Sequence, residues 1–172
     1  DTELFKSKSL YLKNAVDNAM KAENIDILRG IEGEAASVYF SVFDDMILQQ
    51  KDDFKFKGRN RRPPLDRVNA MLSFAYSLCT SMCTSALEAV GLDAYVGFMH
   101  TDRPGRRSLA LDLLEEFRAV MCDRFVLTMI NKRTISPDHF EMREDGAVLL
   151  NDDGRRAFLT AWQNRKDEEI KH

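Results

Sequence analysis

The feature that most constrains the fold is a long apolar segment that follows two prolines. Its apolar residues recur at helical spacing and cover more than one face of a helix: Val68, Leu72, Ala75, Cys79, Met82, Cys83 and Ala86. Pro63 and Pro64 exclude a helix before about Leu65. Asp66 suits a helix start and Gly91 suits a helix end. The segment therefore predicts a buried helix from residue 65 or 66 to about residue 90.

Weaker patterns predict the other elements. Helices are expected at residues 1–20, 26–50 and 109–131 and from about 151 through 162, with the second of them central. Their expected caps are Asp1 and Thr2 for the first helix, Ser108 for the fourth and residues 151–153 for the last. The fourth helix has a predicted apolar face of Leu109, Leu113, Phe117, Val120, Phe125 and Leu127.

Two short segments favour extended structure. Residues 95–100 are predicted to be extended, and Asp145-Gly146 between two apolar runs predicts a turn of a hairpin. The expected fold class is therefore mainly α, a bundle-like arrangement of about five or six helices with one small β-hairpin near residues 140–150.

Composition excludes several classes of protein. With 44% apolar and 31% charged residues in 172, the chain can build a core and is neither disordered nor fibrous. It has no apolar run close to the roughly 20 residues of a membrane span, so no membrane partner is expected. The net charge of −3 argues against a chain-wide nucleic-acid surface. Three cysteines in apolar patterns favour core positions and a reducing cytoplasm, and the start at Asp1 is expected to be that of a fragment.

Three carboxylates and one imidazole are the candidate chemical groups. Asp112 and Glu115 share one face of the fourth helix, Glu32 shares a stripe with small and aromatic residues, and His100 opens a polar loop. Such a mixed oxygen and nitrogen set suits manganese and tolerates magnesium. Each residue also has a plainer interpretation: a helix-start acid for Asp112, a solvated acid for Glu32 and a structural imidazole for His100. Residue types alone leave these alternatives open.

Two basic loops flank these candidates. Their cations are Lys55, Lys57, Arg59, Arg61 and Arg62 in the first loop and Arg103, Arg106 and Arg107 in the second. Phe54 and Phe56 interleave with the first set. The loops are either solvated surface or contacts to a phosphate backbone, which such cations neutralise without reading base identity.

Three motifs carry a family resemblance. Residues 29–36 with Tyr39, residues 97–100 and residues 108–118 occur in the order found in the catalytic domain of the CRISPR-associated integrase, and residues 61–66 match as well. The chain resembles the type I-C branch over nearly its whole length. The resemblance implies one helical C-terminal catalytic domain over residues 1–172. It also implies a metal held by Glu32, His100 and Glu115, with Asp112 as an assistant or a competing ligand.

The resemblance also implies a function. It is that of a manganese- or magnesium-dependent nuclease that joins the 3′ ends of protospacer DNA to double-stranded CRISPR repeat DNA during spacer acquisition. A small partner protein and a homodimer built through an N-terminal β-rich domain belong to the family pattern. Asn69, Ser73, Tyr76 and Thr80 then either line a DNA channel or contact water. The alternatives are a non-enzymatic helical module that docks DNA or protein and a metal-dependent phosphohydrolase of small substrates.

Overall fold

The computed structural model describes residues 2–101 and 103–170, with side chains of the last helix described as far as Asp167. Its α-helices are α1 Thr2–Ala19, α2 Ile25–Ser41, α3 Arg67–Ala89, α4 Ser108–Phe117, α5 Arg124–Asn131 and α6 Asp152–Ile170. A π-helical turn, Arg118–Asp123, joins α4 to α5, and strands β1 Phe140–Met142 and β2 Val148–Leu150 form an antiparallel pair. The predicted mainly α fold with a small hairpin is confirmed. The expected cap Asp1 lies outside the described residues.

The chain divides into two compact units, one ending at Met46 and the other beginning at Ile47. Unit 1 holds α1 and α2, in which the Asn24 side chain accepts hydrogen bonds from the N–H groups of Asp26 and Ile27 at 3.1 and 2.9 Å. This cap explains why α2 begins where it does. Every residue of α2 keeps some exposure to solvent, so the expectation that this helix is central is wrong.

The second helix is also shorter than predicted, because it ends at Ser41 and not near Gln50. At its end the N–H groups of Val42 and Phe43 bond to carbonyls only three residues back, and a 3₁₀ turn follows at Asp44–Met46. The helical apolar spacing continues through this region, so the spacing alone could not reveal the break.

Unit 2 is built around α3, as the apolar pattern predicts. Ten residues of this helix are buried, and the Asp66 carboxylate caps it by accepting the N–H of Asn69 at 2.7 Å. Gly91 ends it with a φ of +78°. By length and composition α3 could also cross a membrane, which the sequence interpretation overlooked, but its burial within unit 2 is that of a core helix.

The core of unit 2 combines thiols with aromatic rings. Cys79, Cys83 and Cys122 are free and buried, which confirms their predicted core positions. Phe158 of α6 meets Phe74 and Phe125 edge to face at 5.1 Å each, and Phe125 meets Trp162 at 5.3 Å. The hairpin pairs Phe140 with Leu150 and covers part of α3.

The predicted continuous helix over 109–131 is interrupted by the π turn. A π turn contains one residue more than an α turn at the same place, so it rotates the following residues around the axis. Within the turn, Val120, predicted to face the core, is 44% exposed and Asp123 is fully buried, and Phe117, also predicted to face the core, is 46% exposed at the end of α4, before the turn begins. Phe125 is buried as predicted.

Candidate functional site

The site is organised by one carboxylate of unit 2. Asp112, on α4, accepts the N–H groups of Phe98 and Met99 on Oδ2 at 2.7 and 3.0 Å. Its Oδ1 accepts the N–H of His100 at 2.8 Å and lies 2.7 Å from His100 Nδ1. The Asp112 side chain is fully buried, whereas 26% of the His100 side chain is exposed. A buried Asp112 therefore holds a partly exposed histidine.

The loop before His100 fits against α4 because Gly97 has no side chain. A Cβ at this position would lie 2.6 Å from Ser108 Cβ and 2.9 Å from Asp112 Oδ2. The predicted extended segment is consequently an irregular loop, whose N–H groups bond to a carboxylate and not to a neighbouring strand. The extended segment was predicted wrongly because the loop depends on the position of Asp112, about which the local sequence pattern carries no information.

The start of α4 also differs from the prediction. Ser108 is the first helical residue and makes no cap bond, and its Oγ donates to the carbonyl of Thr101 at 3.4 Å. The carbonyl of Ala94 takes over the capping role, because it accepts the N–H groups of Leu109 and Ala110 at 3.1 and 3.3 Å. The loop is thus attached to α4 at Ala94 and again at residues 98–100.

The electrostatics keep Asp112 ionised. Burial alone would raise the pKa of its carboxyl, but the hydrogen bonds from Phe98 N–H, the His100 side chain, His100 N–H and Met99 N–H outweigh burial and lower that pKa below its usual 3.8. A carboxylate that accepts several N–H groups is a better acceptor charged than neutral.

The other two predicted ligands are not among the contacts of Asp112. Glu115, one turn beyond Asp112 on α4, is one-third exposed and forms a 2.7 Å ion pair with Arg118. Glu32 is an exposed residue of α2 in unit 1. Among the residues that the structure describes, no three His, Cys, Asp or Glu side chains are grouped closely enough to hold a metal ion. The ligand set Glu32, His100 and Glu115 stays a prediction.

A second polar cluster in unit 2 was missed by the sequence interpretation. The Tyr76 hydroxyl donates to Asp123 at 2.6 Å, and the Arg59 guanidinium lies 5.1 Å from the centre of the Tyr76 ring. Arg59 also donates to Asn69 Oδ1 at 2.7 Å and to Ser73 Oγ at 3.3 Å. The polar face of α3 is therefore largely occupied by contacts within the protein. An acid in an otherwise apolar helical segment was the available signal for Asp123.

The basic loops divide into engaged and exposed cations. Arg59 is half-buried in the polar cluster, where its guanidinium bonds to residues of the protein, and Phe54 and Phe56 are buried in the core. Exposed cations remain at Lys55, Lys57, Arg61, Arg62, Arg103 and Arg107, with Arg106 half-buried. The structure places these cations at the surface of unit 2 and leaves their contact with DNA as a prediction.

The fold and the site together define a class of protein: a mainly helical one in which an aspartate holds a histidine. Residues 1–164 match the family model of CRISPR associated protein Cas1, and the chain belongs to this family. The resemblance in the three motifs is thereby confirmed. A CRISPR-associated endonuclease Cas1 from Chlorobaculum tepidum is 51% identical over 172 residues, which are 100% of this chain and 50% of the relative.

Solved structures show the same fold. A partial Cas6-RT-Cas1–Cas2 complex matches with a TM-score of 0.86 and 27% identity, over 96% of this chain and 50% of that chain. A casposase bound to integration product matches with a TM-score of 0.78 and 27% identity, over 93% and 48% of the two chains. The chain spans about half the length of the relatives that it matches.

Proposed function

We propose that this chain carries the catalytic residues of a metal-dependent DNA endonuclease and integrase of CRISPR spacer acquisition. The observation that carries the proposal is the histidine at the end of the 97–100 motif, which a buried carboxylate holds by one ring nitrogen. Membership of the Cas1 family and likeness to a relative named as an endonuclease support it. The casposase neighbour, which is bound to integration product, supports strand transfer as the reaction.

The residues present fit a divalent cation by their chemistry. His100 Nε2 and the carboxylates of Glu115 and Glu32 form a nitrogen and oxygen set suited to manganese or magnesium. The cation, when bound, would polarise the scissile phosphate and stabilise negative charge on the leaving 3′ oxygen. Asp112 differs from the other acids because its two oxygens are engaged by the loop.

The protein's own residues perform the remaining tasks. Asp112 fixes the position and orientation of the His100 ring, and the Arg118 guanidinium holds the Glu115 carboxylate through a 2.7 Å ion pair. The exposed cations at Lys57, Arg61 and Arg62 offset the repulsion between the acidic site and the DNA backbone. These contacts hold the groups in place before substrate arrives, which is how positioning contributes to a rate.

The neighbouring structures support DNA and a protein as partners, and the finer assignments are part of the proposal. Protospacer and CRISPR repeat DNA are the double-stranded substrates, and a small protein such as the Cas2 component of the neighbouring complex is the protein partner. A homodimer, a cytoplasmic location and the absence of membrane contact complete the proposal for the whole protein.

The experiment is Mn²⁺ calorimetry on the wild type and on Glu32→Ala, His100→Ala and Glu115→Ala, with circular dichroism to confirm folding. Glu116→Ala is the matched control, because Glu116 is an exposed acid of the same helix as Glu115. We expect each of the three variants to lose the metal and the control to keep it. Unchanged binding in all three folded variants would reject the ligand set, and failure of the folded wild type to bind Mn²⁺ would favour a non-enzymatic docking module.

A further inference from the structure

We infer that Asp112 is a positioning residue and not a metal ligand, and that it fixes His100 in the tautomer with its proton on Nδ1 and its lone pair on Nε2. The inference deepens the proposed function, on which it rests, by assigning the histidine atom that faces the chemistry. It is argued from the geometry of the loop alone.

The first step is the number of hydrogen bonds that a carboxylate can accept. Two carboxylate oxygens offer about four lone-pair sites. In Asp112 one oxygen takes the N–H groups of Phe98 and Met99, and the other takes the N–H and the ring nitrogen of His100. All four sites are in use at distances of 3.0 Å or less, so a cation could bind Asp112 only by breaking one of these contacts.

The second step is the direction of the bond to the ring. Asp112 accepts three backbone N–H groups on its two oxygens, which is the arrangement of a carboxylate without a proton, so the 2.7 Å contact to Nδ1 requires the ring nitrogen to donate. In the neutral ring the lone pair is then on Nε2, which is the atom available to a cation or to a leaving oxygen. The tautomer is therefore set before any metal or DNA arrives.

The third step is the contrast with Glu115. This residue is one-third exposed and its Oε2 is held by a cationic side chain, Arg118. A divalent cation can replace a guanidinium beside a carboxylate, because both carry positive charge. Replacing the contacts of Asp112 would instead strand buried N–H groups, each of which then lacks an acceptor.

The test reads the protons of the imidazole rings by two-dimensional ¹H–¹⁵N NMR of the metal-free chain, at a pH where the rings are neutral. His139 is an internal reference of opposite type, because its Nδ1 accepts the N–H of Ser136 at 3.0 Å and its proton must be on Nε2. A His100→Gln spectrum identifies the signals of His100. We expect the wild-type His100 to carry its proton on Nδ1, and a proton on Nε2 would overturn the inference.

Asp112→Asn supplies the second arm. An amide can accept at only one of its two heavy atoms, so either the ring or part of the loop loses its acceptor. We expect His100 to shift toward the tautomer with its proton on Nε2, and Mn²⁺ affinity to fall about 10–100-fold without vanishing. Glu116→Gln should change neither quantity.

Complete loss of Mn²⁺ with an unchanged tautomer would make Asp112 a ligand and overturn the inference. Should Asp112→Asn fail to fold, the wild-type spectrum still decides. The tautomer is read without metal or DNA, so a failure of the proposed function in calorimetry is distinguishable from a failure of this assignment.

Discussion

At the scale of single residues, one buried carboxylate accepts backbone hydrogen bonds that secondary structure would otherwise satisfy. Asp112 binds three consecutive backbone N–H groups, a task that a neighbouring strand usually performs. The geometry depends on an absent side chain at Gly97, since a Cβ there would meet both Ser108 and Asp112. Two residues that are distant from each other in sequence, Gly97 and Asp112, thus define the position of His100.

Gly97→Ala tests this dependence. Because the added methyl would lie 2.6 Å from Ser108 Cβ and 2.9 Å from the Ser108 carbonyl carbon, the loop must move away from α4. We expect a loss of about 1–3 kcal/mol in the free energy of unfolding, measured with urea, and reduced Mn²⁺ binding. Gly30→Ala is the control, since Gly30 is a helical glycine with nothing within 4 Å, and should be neutral or stabilising. Equal stability of the two variants would contradict the close approach.

Tyr76→Phe tests the buried polar cluster through pH. Burial first, and the neighbouring Asp123 second, raise the pKa of Tyr76 well above its usual 10.0. The unfolded chain then loses this proton above about pH 10 while the folded chain keeps it, so wild-type stability falls as pH rises, by up to about 1.4 kcal/mol per pH unit. Removing the hydroxyl should cost about 1–3 kcal/mol at neutral pH.

The measurement for this variant is urea unfolding from about pH 7 to pH 11, a range that spans the ordinary pKa of tyrosine. The stability gap between wild type and Tyr76→Phe should narrow above about pH 10, because the variant lacks the titrating group. A constant gap over the whole range would mean that Tyr76 is not protonated preferentially in the folded state.

At the scale of secondary structure elements, hydrophobic periodicity predicted the helix bounds that local contacts determine. It missed the features that depend on contacts between residues distant in sequence. The bounds of α3 follow from Asp66, the apolar spacing and Gly91, and all three are local signals. The irregular loop at 95–100 depends on Asp112, a side chain further along the chain, whereas the early end of α2 and the π turn interrupt an apolar spacing that continues through them. For the site, motif resemblance predicted Glu32, His100 and Glu115, with Asp112 as an assistant or a competing ligand, and only the structure separates the contacts of Asp112 from those of Glu115.

The π turn makes opposite predictions for residues that one continuous helix would treat alike. Phe117→Gln and Val120→Gln should each lower the free energy of unfolding by only about 1 kcal/mol, since the two residues are 46% and 44% exposed. Phe125→Ala should cost about 3–5 kcal/mol, because its ring is buried between Phe158 and Trp162. Urea unfolding measures all three, and a cost at Val120 as large as that at Phe125 would contradict the exposure of Val120 in the π turn.

At the scale of the whole molecule, the exposed cations of unit 2 set the expected response of DNA binding to salt. Lys57→Gln, Arg61→Gln and Arg62→Gln together should weaken binding and flatten the slope of log K against log salt by about 2–3, since each phosphate that a cation neutralises contributes about 0.9 to the slope. Arg59 is left out because its guanidinium is bound within the protein. Fluorescence anisotropy with a short duplex measures the slope.

A control triple variant removes the same charge elsewhere, at the exposed residues Lys13, Lys21 and Lys132. We expect a smaller change of slope in this control. Equal slopes in the two triple variants would show that the first basic loop has no special contact with phosphates.

The two units should also differ in local stability. Ala15 is the buried residue of α1, whereas ten residues of α3 are buried. Hydrogen exchange followed by mass spectrometry should therefore show amides of α1 exchanging much faster than those of α3. Equal protection of the two helices would indicate that the whole chain opens as one cooperative body.

The double attachment of the loop, at Ala94 and at residues 98–100, has a consequence for the thermodynamics of capture. A flexible histidine loop would lose backbone entropy at the moment a cation binds, at about 1–2 kcal/mol for each residue that becomes ordered. In this protein that entropy is lost during folding, when the loop closes onto α4. If His100 binds a cation as proposed, the exchange of that cation needs no refolding of the loop, and the binding free energy remains available for the cation itself.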